Sequence, residues 1–251
     1  LNSQLKYLLC FAFIFLCISL DAQEDGGKRL RNRRKNPIVK TRIGFSPVVS
    51  IYQTNKNHTA GSRAKMAFNI SLKEEIRLDR NNQNFLLVGV EYMFHGVSFN
   101  SYYFYSDSLK LYTPERLKYK YNLTIHELDF PILLKHSFQK ETNSLLSSYI
   151  FAGYNYRWII DGRLNVSENG NDIVNQYALI KFKNPAFGKA NSSFFTLGAG
   201  FQKNTPLMHN AVYAELQFKY ALSPFYFNEP FAPSSMFISG HFLLLTIGFK
   251  I

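Results

Sequence analysis

From Thr41 to Ile251 the chain repeats one device: apolar residues alternating with polar or small ones over stretches of about nine to twelve residues, the length a tilted strand needs to cross a bilayer. Eight such stretches are present. The first sets Ile43, Phe45, Pro47, Val49 and Ile51 on one face against Arg42, Gly44, Ser46 and Ser50. In the second, Met66, Phe68, Ile70 and Leu72 face away from Asn69, Ser71 and Lys73. The third opposes Leu86, Val88, Val90, Tyr92 and Phe94 to Gly89, Glu91 and His95, and the fourth Leu128, Phe130, Ile132 and Leu134 to Glu127, Asp129 and Lys135. In the fifth, Ile150, Ala152, Tyr154, Tyr156 and Trp158 oppose Gly153, Asn155 and Arg157; in the sixth, Phe195, Leu197, Ala199 and Phe201 oppose Thr196, Gly198, Gly200 and Gln202. The seventh sets Val212, Ala214, Leu216, Phe218 and Tyr220 against Glu215, Gln217 and Lys219. The last places His241, Leu243, Leu245, Ile247, Phe249 and Ile251 opposite Thr246, Gly248 and Lys250.

A charged second face separates this pattern from a soluble sandwich, because in a small membrane barrel the polar face lines the interior and the apolar face meets lipid. The expected fold is all-β: an eight-stranded antiparallel up-and-down transmembrane β-barrel. A buried charge without a partner costs too much to keep, so Glu91, Glu127, Asp129 and Glu215 are expected to pair with Arg42, Lys73, Lys135, Arg157, Lys219 and Lys250. Side chains fill an interior of this size, and no water-filled pore is expected. Two places break the alternation. Glu74 falls on the apolar face of the second stretch, and Leu123 with Ile125 are out of phase with Leu128, to be explained by a bulge or a position above the membrane.

The connections alternate in length. Asp79 to Asn84, Gln139 to Asn143 and Lys203 to Asn210 are short; Gln53 to Lys65, Asn100 to Lys118, Asp161 to Ser193 and Ala221 to Gly240 are long. Short periplasmic turns and long external loops have this form, which puts the N-terminus in the periplasm. Mean hydropathy is −0.15, which argues against helical spans, while 24 Phe and 16 Tyr against one Trp favour pleated structure.

The segment before the barrel reads as two parts. Residues 1–22 have the form of a signal peptide, with Lys6 ahead of an apolar run from Tyr7 to Leu20 and Ala22 as the cleavage position. Both cysteines, Cys10 and Cys17, lie inside it, so the mature chain is expected to hold no disulfide and no cysteine metal site. Residues 23–40 form a basic periplasmic tail in which Lys28, Arg29, Arg31, Arg33, Arg34, Lys35 and Lys40, with Arg42 just beyond, outweigh Glu24 and Asp25. That is half of the net charge of +12. Export argues against nucleic acid and leaves anionic lipid headgroups or an acidic protein surface as contacts for Lys28, Arg29, Arg31, Arg33, Arg34 and Lys35.

No nucleophile elbow, zincin, Walker or dinucleotide pattern is present, and no catalytic, cofactor-binding or metal-ligating residue is expected. The nearest approach to a catalytic set is His95 with Glu91 and Ser98, against the plainer reading of a lumen or rim network.

The stretches ELDFPILLKHSF (Glu127 to Phe138), YIFAGYNY (Tyr149 to Tyr156), TLGAGF (Thr196 to Phe201) and the closing LLLTIGFKI resemble the PorT-like family of outer-membrane β-barrel proteins. The closing strand also resembles the C-terminal signal read by the barrel-assembly machinery, with Ile251 where most such signals carry an aromatic residue. The resemblance implies a non-enzymatic barrel without cofactors in the outer membrane. It would contact outer-membrane lipids and periplasmic or outer-membrane proteins as an assembly, anchoring or accessory component of an envelope complex, of the type IX secretion kind. The alternatives are a lipid-modifying barrel enzyme, which needs a Ser or His cluster at the outer rim and would be favoured by His95, Glu91 and Ser98 in one hydrogen-bonded chain, and a soluble lipocalin-like carrier, which predicts an apolar interior and no need of detergent.

Overall fold

The computed structural model describes residues 39–54, 59–65, 67–105, 115–139, 145–168, 171–176, 191–204, 211–223, 225–228 and 235–251. The expected signal segment and the basic tail up to residue 38 lie outside the described residues. Eleven strands are present among them: β1 (Val39–Thr54), β2 (Thr59–Ala64), β3 (Ala67–Arg77), β4 (Asn84–Tyr105), β5 (Glu115–Ser137), β6 (Leu146–Glu168), β7 (Asn171–Gln176), β8 (Asn191–Asn204), β9 (Ala211–Ala221), β10 (Phe225–Asn228) and β11 (Ser235–Lys250).

Eight of these close into a barrel. The order is β1-β3-β4-β5-β6-β8-β9-β11, every pairing is antiparallel, and β11 returns to β1 from Arg42↔Lys250 to Thr54↔Ile238. Paired backbone bonds between Thr41 and Ile251, at 3.0 and 2.9 Å, fasten the seam. Closure leaves no unpaired edge, which in lipid is the only way a sheet can satisfy its amides and carbonyls. The eight alternating stretches of the sequence are these eight strands, with the predicted faces.

The strands differ from expectation in length. β4, β5 and β6 run for 22, 23 and 23 residues, well beyond the stretches that alternate cleanly, so most of the expected Asn100–Lys118 loop is the upper part of a β4–β5 hairpin. Three short strands were unforeseen because they lie in long connections and lack alternation of their own: β2 pairs with β4, β7 with β6 and β10 with β11. The β3–β4, β5–β6 and β8–β9 connections are short and share the end where β1 begins and β11 stops; the four long connections share the other. In the β3–β4 turn, Asp79 accepts from the Gln83 amide (3.0 Å) and the Asn84 side chain (2.7 Å). Asn82 takes a positive φ of 56°, a conformation Asn tolerates better than most residues.

Both breaks in the pattern have physical causes. Leu123 and Ile125 are in phase with Glu127 and Asp129 and point into the barrel, because the lumen face itself changes from charged to apolar above Glu127. Glu74 sits near the short-turn end, where Thr41 Oγ1 donates to its carboxylate at 3.0 Å. One bulge does occur, between β5 and β6: Glu127 is opposite Ile159 but His126 is opposite Asp161, so Ile160 is the extra residue.

The outward face is apolar and exposed, as Phe45, Val49, Ile132, Leu134, Leu245 and Ile247 illustrate, each at 51 to 61%. The lumen is filled at two kinds of level. Toward the long connections lies an apolar layer including Val48, Met93, Val97, Phe99, Leu123, Ile125, Phe194, Phe242 and Leu244; toward the short turns lie the charges.

Candidate functional site

The strand alternation that exposes Ile43 and Leu245 turns Arg42 and Lys250 inward, and the same parity on five further strands gathers a buried charge network. Its members are the carboxylates Glu75, Glu91, Glu127, Asp129 and Glu215 and the cations Arg42, Lys73, Lys135, Arg157, Lys219 and Lys250, all at most 3% exposed.

Three groups follow one another along the axis. Nearest the short turns, Glu75 receives Lys135 at 2.9 Å, Arg42 at 3.4 Å and Lys250. Gln202 Oε1 accepts from Lys250 at 3.1 Å and from Lys135 at 3.4 Å, and Lys135 lies 4.3 Å from the centre of the Tyr149 ring. Arg42 joins this group to Glu215 at 2.5 Å, with its guanidinium over Tyr213 at 4.0 Å; Tyr149 also donates to Glu215 at 2.9 Å. At mid-height, Glu91 pairs with Lys73 at 2.6 Å and with Lys219, which reaches Asp129 at 2.6 Å. Highest, Glu127 pairs with Arg157 at 3.0 Å and with His95 Nε2 at 2.9 Å, while His95 Nδ1 meets the Tyr52 hydroxyl and Arg157 lies 3.8 Å from the centre of the Phe194 ring.

Every predicted lumen charge is therefore inside and paired with the opposite sign. Glu75 was missed, yet it is the most connected carboxylate of the set. It lies two residues beyond Lys73 on the same face, and the parity rule would have found it had Glu74 not ended the second stretch. Tyr52 and the aromatic covers were also missed, because they depend on neighbours across the barrel. Lumen glycines give room to these rings: a Cβ on Gly198 would lie 2.2 Å from Phe151, and one on Gly248 2.4 Å from Tyr213.

The candidate catalytic set His95, Glu91 and Ser98 is not assembled. His95 and Glu91 both point inward, but His95 partners Tyr52 and Glu127, and Ser98 lies on the opposite face of β4. No hydrogen-bonded chain joins the three. The apolar interior that a lipocalin-like carrier needs is also overturned, since the lower lumen carries eleven paired charges. Among the described residues no group of His, Cys, Asp and Glu could hold a metal ion. Of the residues named for partner or lipid contact, Lys28, Arg29, Arg31, Arg33, Arg34 and Lys35 all lie outside the described residues.

No family model matches the chain, and no curated protein matches it. Solved structures do. The outer membrane protein OprG of Pseudomonas aeruginosa is 14% identical with a TM-score of 0.53, over 85% of this chain and 95% of that one. Neisserial surface protein A is 10% identical (TM-score 0.37; 85% and 96%), and the N-terminal barrel of Pseudomonas aeruginosa OprF is 13% identical (TM-score 0.34; 85% and 98%). At such identities the likeness concerns fold, and only the first reaches a TM-score that supports an argument. With the closed strand order and the apolar exterior, it assigns the chain the eight-stranded antiparallel barrel fold of outer-membrane proteins.

Proposed function

We propose that the chain is a non-enzymatic outer-membrane protein, with its short turns and N-terminus in the periplasm, that serves as an anchoring or accessory component of an envelope complex. Its resemblance to the PorT-like family makes type IX protein secretion the system of choice. The observation that carries the reading is the filled lumen beside a lipid-facing exterior. A charge network in the lower barrel and an apolar layer above it commit the interior to holding the barrel closed, and leave work with other molecules to the ends.

The periplasmic end is where the basic tail joins β1, so Lys28, Arg29, Arg31, Arg33, Arg34 and Lys35 are assigned to an acidic partner surface or anionic headgroups there. The test is a mild-detergent pull-down of tagged protein from isolated outer membranes, with the intact chain and with residues 28–35 deleted. A stoichiometric companion that dissociates at moderate salt and is lost on deletion supports the proposal. Recovery of the same companions without the tail refutes its role, and absence of the chain from that membrane refutes the whole reading.

A further inference from the structure

The outward face of β4, β5 and β6 is layered in rows that can be followed from the register. The row Ile70–Tyr92–Leu128–Trp158 crosses four strands and lies in the apolar band. Above it runs Phe68–Phe94–His126, with ring centres 5.3 and 4.9 Å apart, ending at Asp161 on β6. Aromatic and amphipathic rings of this kind mark the level where hydrocarbon gives way to headgroups.

The next row is cationic. The Lys65 amide donates to Gly96 O at 3.1 Å, Gly96 is opposite Thr124, and Thr124 is opposite Arg163, so Lys65, Thr124 and Arg163 share the outward face. Gly96 matters here for its missing side chain: a Cβ there would lie 3.1 Å from Lys65 Cδ, so the lysine stem lies across the bare glycine and brings Nζ to 3.4 Å from Thr124 Oγ1. Two rows higher on β5, Lys120 is exposed on the same face. Among the described residues no carboxylate pairs with Lys65 or Lys120. Burial, and then the charge of Lys120, lower the pKa of Lys65, so the two ammonium groups repel each other where they stand. Asp161 lies a row lower and accepts from the Gly162 amide at 2.8 Å.

Every cation of the lumen faces a carboxylate, whereas on this outer face Lys65 and Lys120 meet none among the described residues, and Arg163 stands in the row of Lys65. Lys65 stands one row and Lys120 three rows above the Phe68–Phe94–His126 row, on the side where a bilayer places its phosphates. We propose that this face binds the phosphorylated headgroup of a lipid in the leaflet at the long-connection end, with Lys65 and Lys120 holding the phosphate, Arg163 and Thr124 at its side, and the acyl chains lying over Phe94, Tyr92 and Trp158. The proposal rests on the reading of the chain as a membrane barrel.

Trp158 is the sole tryptophan of the sequence and lies on the outward face two rows below Arg163, so it reports directly on the lipid chains beside the patch. The full chain would be folded into phosphatidylcholine vesicles containing either phosphatidic acid or phosphatidylcholine with brominated chains, and quenching of Trp158 compared. A preference for phosphatidic acid is expected, falling about fivefold for each lysine removed in Lys65→Ala and Lys120→Ala and retained in Lys65→Arg with Lys120→Arg. Lys203→Ala, at the opposite end of the barrel, is expected to leave it unchanged. Equal preference in the wild type and in the double alanine variant overturns the site while leaving the membrane barrel standing. Loss of the preference on adding inorganic phosphate, but not chloride of equal ionic strength, would show a soluble phosphate as occupant and also overturn it. Quenching by neither brominated lipid would overturn the membrane reading and the site together.

Discussion

Replacing Glu75 by Gln isolates what the lumen network is worth. The amide keeps the volume and one acceptor but removes the charge that faces Lys135 at 2.9 Å, Arg42 at 3.4 Å and Lys250, all within a wall that excludes solvent. Deleting one partner of a buried ion pair costs about 3–5 kcal/mol, because the remaining charge stays desolvated. Part of this is offset here. Gln202 still accepts from both lysines, and the Tyr149 and Phe85 rings lie 4.3 and 4.8 Å from Lys135, contacts that contribute roughly 0.5–2 kcal/mol when desolvated. The expected loss is therefore near the lower end, about 3 kcal/mol. It would be measured by urea unfolding of the barrel in lipid vesicles, followed through Trp158 fluorescence. Lys250→Met added to Glu75→Gln removes one stranded cation and is expected to recover part of the loss, giving a non-additive double-mutant cycle. A loss below about 1 kcal/mol, the range of an exposed pair, or a double variant no more stable than the single one, would refute the claim that these charges are held dry.

Two further perturbations test the exterior and the turns. Leu245→Arg places a charge on the outward face beside Leu216, near the middle of the apolar band, and is expected to cost about 2–4 kcal/mol in vesicles; a cost near zero in the same unfolding assay would mean that this face does not meet hydrocarbon. The Asp79 carboxyl is held below the usual aspartate range: its slight burial pushes the other way, but the amides of Gln83 and Asn84 and the Asn84 side chain favour the charged form. A depressed value means that the turn's extra stability is present above the unfolded aspartate pKa and is lost as pH falls through the folded one. Protection of the Gln83 amide against exchange, taken relative to the unstructured chain at the same pH, should fall over that acidic interval in the wild type and show no such step in Asp79→Asn.

Strand count, facing and closure were legible because one face must meet lipid and the other must not, which imposes a strict period of two from Ile43 to Phe249. The upper halves of β4, β5 and β6 were not legible by that rule. Once a strand rises above the bilayer its outward residues, such as Asn122, Thr124 and Arg163, become polar while the lumen residues Leu123 and Ile125 become apolar. The pattern there inverts. Leu123 and Ile125 looked out of phase with Leu128 for this reason, although the backbone alternation never slips along β5.

Partner choice in the lumen lies further from the sequence than facing does, because a salt bridge there depends on where the sheet closes. Arg157 and Glu127 are on adjacent strands, and the register, which sets Arg157 opposite Asp129, leaves Glu127 within diagonal reach on the same face. Lys219 on β9 instead meets Glu91 on β4 and Asp129 on β5, strands on the far wall, with β6 and β8 between along one side and β11, β1 and β3 along the other. Lys250 on β11 reaches Glu75 on β3 across the seam strand β1. Neither contact exists in an open sheet of the same register. These cross-lumen pairs reward closure specifically, while an unclosed or differently staggered barrel would strand the same charges in a dry interior at a cost of several kcal/mol each. The network thus acts less as a store of stability than as a penalty on every other way of closing the sheet. That accounts for charges kept in a lumen that apolar side chains of similar volume could also have filled.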